Sequence, residues 1–316
     1  MAARLIIYPV FIILISLFFK EQWVFAFFDN NGFDLSNSLI DKNEIHYGGP
    51  AKDGIPAIDH PLFVTAQQAD YLSADEQILG LSIDGEAKAY PLRILNYHEI
   101  VNDFFDKKPV VISYCPLCGS GMAYSAVIRG IHTTFGVSGL LYNSDVLLYD
   151  RETNSLWSQL MSQAISGPLQ GEKLQMLVLT HTRWQDWRKR YPDTLVLSDK
   201  TGFSRDYTRS PYGNYNKQKS LYFPVKSLNN DYHPKEYVIG LNYKGVKKAY
   251  PFVELSKIDS PYKDKIANET VLIVFDAQHR TGRILDAQGE EIPTVTSFWF
   301  AWMAFYPHSE IFKAHP

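Results

Sequence analysis

Two stretches far apart in the chain match at their key positions. Ile78-Leu79-Gly80-Leu81-Ser82-Ile83-Asp84-Gly85-Glu86-Ala87-Lys88-Ala89-Tyr90-Pro91 parallels Val238-Ile239-Gly240-Leu241-Asn242-Tyr243-Lys244-Gly245-Val246-Lys247-Lys248-Ala249-Tyr250-Pro251. Each reads as a β-hairpin, with Asp84-Gly85 or Lys244-Gly245 as a two-residue turn in which glycine supplies positive φ. Each proline then ends the second strand and can open a helix, because it lacks the N–H a central strand would need. An internal duplication is therefore expected, and it restricts the fold to one that serves both copies.

The correspondence extends further. Residues 94–105 read as a helix, with Ile94, Leu95, His98, Val101 and Phe105 near one face, and residues 252–258 as its shorter counterpart. Apolar strands follow at 110–114 and 271–275. Trp184-x-x-Trp187-x-x-x-Tyr191-Pro192 matches Trp299-x-x-Trp302-x-x-x-Tyr306-Pro307, two short helices stopped by proline, whose indoles are core-packing first. The first copy carries an extra segment, 119–177, with a hairpin expected from 122–129 and 131–137 around Gly130. Strand-like stretches are expected at 140–150 and 155–160. In the second copy a short hairpin over 282–295, turning at Gln288-Gly289, takes its place. The expected fold is α+β: two pseudo-repeated halves of hairpin, helix, strand and Trp-containing helix, with a β-rich insertion in the first. The divisions are 27–200 for the first half, 201–230 for a connector and 231–316 for the second. The connector's Phe203, Tyr207, Tyr222 and Phe223 argue for packing over flexibility.

The start of the chain sets the compartment. Arg4 precedes an apolar run over 5–19, broken by Lys20-Glu21-Gln22, and Val24-Phe25-Ala26 offers a small-residue cleavage signature. Residues 1–26 thus read as a signal peptide, the run being shorter than the ~20 residues of a spanning helix. The alternative is an uncleaved N-terminal anchor, which would be the chain's one membrane contact. Either way the remainder is extracytoplasmic, periplasmic or secreted. A net charge of −3 without a basic block argues against a nucleic-acid partner. No Walker or dinucleotide-type glycine loop points to a nucleotide cofactor, and Ser138 and Ser144 lack a serine-hydrolase setting.

The chain has 2 cysteines, adjacent in Tyr114-Cys115-Pro116-Leu117-Cys118-Gly119. A Cys-x-x-Cys at a strand end can ligate a soft metal or cycle between dithiol and disulfide. As a structural disulfide it would close too small a loop to restrain the unfolded chain much. Zinc needs further ligands, for which His98 stands first and His132 second. Copper(I) is less demanding and could take the thioether of Met122. Each helper has a plainer reading: His98 as a satisfied core histidine, His132 as a polar strand residue, Met122 as core filler. Asp145 or Asp150 could supply a carboxylate, although such residues commonly close turns. Asp276-x-x-His279 occupies the corresponding place in the second half, either by chance or facing a shared cleft. The rival to metal binding is thiol–disulfide exchange by Cys115 and Cys118, weakened because no helix is evident after the pair. A third alternative is a small-ligand binding module whose cysteines only shape a loop.

Several long motifs carry a resemblance. They are Gly48-Gly49-Pro50-x-x-Asp53-Gly54-Ile55-Pro56-Ala57, Ala89-Tyr90-Pro91-Leu92-Arg93-Ile94-Leu95-Asn96-Tyr97-His98-Glu99-Ile100-Val101-Asn102-Asp103, Tyr114-Cys115-Pro116-Leu117-Cys118-Gly119 and Thr134-Phe135-Gly136-Val137-Ser138-Gly139-Leu140-Leu141-Tyr142-Asn143-Ser144-Asp145. Together with Leu156-Trp157-Ser158-Gln159 and Gly167-Pro168-Leu169 they resemble a bacterial and archaeal family built on a domain of unknown function, typically exported or lipid-anchored. The resemblance runs from about Gly48 onward. It implies no established activity, but it marks Cys115, Cys118 and the segment 96–103, with His98, as signature positions. The combined expectation is an exported protein binding copper or zinc through Cys115 and Cys118, with a metal ion or small molecule as its partner.

Overall fold

The computed structural model describes residues 30–314, so the leader-like segment 1–26 lies outside the described residues. No helix among the described residues is long and apolar enough to cross a membrane.

The α+β expectation is corrected: the protein is mostly β, with 40% of residues in strands, 11% in helices and five sheets. Its α-helices are short: Leu92–His98, Trp184–Arg190, Phe252–Leu255 and Trp299–Phe305. The expected helix over 94–105 stops at His98. Glu99 turns the chain with φ 57°, and Ile100–Phe105 runs on as a strand paired antiparallel to Lys108–Cys115. Ile100, Val101, Phe104 and Phe105 are β-branched or aromatic, and Asp106, at φ 49°, turns the pair into a hairpin. The hairpin expected from 122–137 is also corrected. Only Val127–Ile128 and Ile131–His132 pair around Gly130, while Ser120–Ser125 joins Lys108–Cys115 instead.

The hairpins Gln77–Ile83/Glu86–Pro91 and Tyr237–Tyr243/Val246–Pro251 turn at Asp84-Gly85 and Lys244-Gly245, all four residues at positive φ. Each packs on an indole. A methyl group on Gly80 would collide with the Trp187 ring, and one on Gly240 with the Trp302 ring. Both indoles are buried and donate to a hydroxyl, Trp187 to Thr194 at 2.9 Å and Trp302 to Ser309 at 3.0 Å. Lys88 and Tyr90 share the carboxylate of Asp103, as Lys248 and Tyr250 share that of Asp264. Gly240→Ala is expected to lower stability by about 1–3 kcal/mol through overpacking against Trp302. Urea unfolding should show this as a lower midpoint at unchanged slope; an unshifted midpoint contradicts the close fit.

The largest sheet draws strands from both parts of the chain. Ile100–Phe105, Lys108–Cys115 and Ser120–Ser125 meet Val295–Phe298 of the later part, bridged at Gly121 and Thr296, and the hairpin 237–251 continues beyond. Beside it lies a five-stranded sheet of Ile45–Tyr47, Phe135–Tyr142, Asp145–Asp150, Leu156–Ser158 and Gln163–Ser166, which the segment 119–177 mostly supplies. One buried cluster joins the two sheets, from Val111 and Met122 through Trp157 to Trp299 and Trp302. Residues 201–230 form no strand. They are anchored where Tyr215 is buried and where Tyr97 donates to the carbonyls of Asp206 and Arg209.

Candidate metal centre and adjoining pocket

The site forms where two hairpin tips meet. The strand Lys108–Cys115, apolar and buried over most of its length, delivers Cys115 at its end. Pro116 and Leu117 turn the chain, and the Cys118 N–H donates to the Cys115 carbonyl at 3.2 Å. Gly119 follows at φ 59°, where a Cβ would lie 2.9 Å from the Phe298 ring, so both conformation and space call for glycine. Phe135–Tyr142 and Asp145–Asp150 make the second hairpin, turning at Asn143 (φ 50°) and Ser144 (φ 65°). That tip presents the Ser144 carbonyl 3.3 Å from the Cys118 sulfur and 3.8 Å from the Cys115 sulfur. Asn143 holds the tip in place. Its amide donates to the Ala304 carbonyl at 3.3 Å and its oxygen accepts from the Lys226 N–H at 2.8 Å.

Cys115, Cys118 and Asp145 each bring one ligand atom to within 4.8 Å of the others. All are buried, at 2%, 0% and 0% exposure, and both cysteines are free thiols. Asp145 Oδ2 accepts from the Leu160 N–H at 3.1 Å, whereas Oδ1 is buried without a partner. The buried hydroxyls of Ser144 and Tyr215 are likewise unpartnered. Each such orphan costs about 1–3 kcal/mol, so their gathering around two thiols needs a physical reason. Burial pushes both thiols up, Cys118 the further, and raises Asp145 to about 7. Burial also lowers the Lys235 ammonium to about 8, against the opposing pull of Cys118.

The other expected ligands stand elsewhere. His98 is buried, but Nδ1 contacts the Pro56 carbonyl at 2.8 Å and Nε2 the Tyr207 hydroxyl at 2.6 Å, leaving no nitrogen for a metal. His132 is exposed on its two-residue strand, edge-on to Phe104. The Met122 sulfur accepts from the Tyr124 hydroxyl at 3.0 Å inside the core. Asp150 closes its turn through the Thr153 N–H and the Trp157 indole. Asp276 binds His279 at 2.7 Å and lines a separate cleft with Asp186 and Arg190, which shares no residue with the cysteines.

Against the cysteine turn lies a half-open cavity of about 390 Å³. Leu117, from between the cysteines, and Val146, next to Asp145, form part of its wall. Val137 and Leu141 add apolar surface, and the segment 201–230 closes one side with Tyr212, Tyr222 and Phe223. Glu99 is the one charged residue among the described residues that line it. Its backbone (φ 57°, ψ −30°) lies outside the favoured regions for a side-chain-bearing residue, at a cost of about 1–3 kcal/mol. The residue is 6% exposed, and its carboxyl accepts from the Tyr212 hydroxyl at 3.1 Å and is raised by burial to about 7. Glu99 was hidden in the sequence inside the segment 96–103; its positive φ has no signature in the residue type.

No curated protein matches the chain, and no solved structure does. A family model described as "Protein of unknown function (DUF3179)" matches residues 52–309. It spans both hairpin tips, most of the cavity wall and both Trp-containing helices, and the chain belongs to this DUF3179 family.

Proposed function

We propose that Cys115, Cys118 and Asp145 bind one thiophilic metal ion, with Zn(II) as the preferred occupant. The observation that carries this reading is the orphaned Asp145 Oδ1, buried and facing two free thiols. A cation would satisfy it. Zinc–sulfur bonds of about 2.3 Å in tetrahedral geometry put two sulfurs about 3.8 Å apart. The three ligand atoms, all within 4.8 Å of one another, are close enough to converge on one such ion. The hard carboxylate favours Zn(II) over Cu(I), which needs soft ligands alone. Two thiolates and a carboxylate around a divalent ion leave one negative charge, which the nearby Lys235 ammonium offsets. Three protein ligands leave a fourth position open, the pattern of reactive zinc sites.

Thiol–disulfide exchange finds less support. Burial holds both thiols protonated near neutral pH, and a strand, not a helix N-terminus, follows the pair. An extracytoplasmic setting, expected from residues 1–26, belongs to the proposal. There, metal ligation would keep the pair from oxidation.

Elemental analysis after zinc loading and desalting should find about one zinc per chain. Cys115→Ser/Cys118→Ser should carry none, and His98→Gln should keep its zinc. Equal zinc in the double cysteine variant and the parent chain, or none in the parent chain, would discard the metal centre.

A further inference from the structure

The cavity beside the cysteine turn poses a question the metal centre does not answer. Its walls are apolar or aromatic, yet Glu99 places a carboxyl group in them. Among the described residues no lysine, arginine or histidine pairs with this group, and its one hydrogen-bonding partner is the Tyr212 hydroxyl. A buried carboxylate is ordinarily paired with a cation or fully hydrogen-bonded. Glu99 is neither, and it also holds a backbone conformation that glycine would adopt more easily. Strain kept at a buried, unpaired acid is what a site for a ligand looks like before the ligand arrives.

We propose that this cavity binds a small apolar molecule bearing one protonated amine, with the amine on the Glu99 carboxylate and the apolar body against Leu117, Val137 and Leu141. Two further features support the choice of a cation, and a third sets the ligand's size. Tyr212, Tyr222 and Phe223 on the connector side offer aromatic faces, which attract an ammonium group. The cavity holds no basic side chain that would welcome an anion. Its volume falls in the range of small-molecule sites and well short of a folded partner. The connector 201–230 thereby gains a role as the wall that selects the ligand. This inference does not rest on the metal centre: Glu99 is not among the proposed ligands.

The test is calorimetric titration of the full chain with three probes of similar size: phenethylamine, phenethyl alcohol and phenylacetate. At about pH 8, above the Glu99 value of about 7, the carboxylate is mostly ionised. Phenethylamine should bind at least about tenfold more tightly than the alcohol, and phenylacetate most weakly. Glu99→Gln should erase the preference for the amine. Glu99→Gly, which relieves the backbone, should fold at least as well as the parent chain and show the same loss, separating binding from folding. The preference should persist in chelator-treated protein. The proposal is overturned if amine and alcohol bind alike, if no probe binds at millimolar concentration, or if the order survives in Glu99→Gln. A preference that exists only with zinc present overturns it too, because the amine would then be ligating the metal.

Discussion

Zinc should bind about 10⁵-fold more tightly at pH 8 than at pH 6, since each displaced proton changes affinity about tenfold per pH unit. The sign follows from the metal-free state. Burial raises both thiols above their ordinary values, so across this range the empty site holds two thiol protons that the ion must expel. Asp145, raised to about 7, adds a third proton in the lower half of the range. The slope of log affinity against pH should therefore steepen from about two near pH 8 toward three near pH 6. Asp145→Asn should weaken binding and hold the slope near two throughout. Competition with a chelator of known pH behaviour measures this directly. A flat profile would mean that no thiolate ligates the ion.

Without metal, stability should move the opposite way with pH. Asp145 and Glu99 both have folded values near 7, raised by burial from unfolded values near 4. Below the unfolded values both states carry the protons, and the full stability is present. As pH rises toward 7 the unfolded chain releases them first, while the native protein keeps them or leaves a charge buried. Stability then falls by up to about 1.4 kcal/mol per pH unit for each group and levels off above about pH 7. His181, lowered by burial to about 4, acts with the opposite sign within the same interval and offsets part of this fall, whereas exposed carboxylates held below their ordinary range, such as Asp34 and Asp206, oppose it only in stronger acid. Urea midpoints with chelator present should be higher near pH 5 than near pH 7. Glu99→Gln and Asp145→Asn should each shrink that difference. A pH difference left unchanged by both substitutions would show that neither carboxyl is buried as described. Zinc should reverse the trend, because its binding strengthens as the apo fold weakens.

The legible parts of the sequence are those written in local chemistry. Asp84-Gly85 and Lys244-Gly245 announce their turns because two-residue hairpins demand positive φ. Gly80 and Gly240 sit opposite Trp187 and Trp302, which were legible as core indoles though not as the reason for the glycines. The run 94–105 misled because its apolar spacing satisfies a helix as well as a strand. What decides between them is Glu99, a residue type that gives no warning of a reversal. The same limit governs the site. Cys115 and Cys118 stand out by adjacency, but Asp145 reaches them only because a second hairpin turns at Asn143-Ser144. His98 looked the better ligand from its place in the chain. Tyr207, which occupies its Nε2, comes from a distant irregular segment that no periodicity links to it.

The Asn143 amide joins a hairpin tip to the Ala304 carbonyl in one direction and to the Lys226 N–H in the other. Three stretches widely separated along the chain are thus riveted at one side chain beside the cysteines. A nascent polypeptide lacking the stretch around Ala304 cannot yet present the finished cradle. Capture of an ion at the proposed centre is accordingly expected only after synthesis has passed that point.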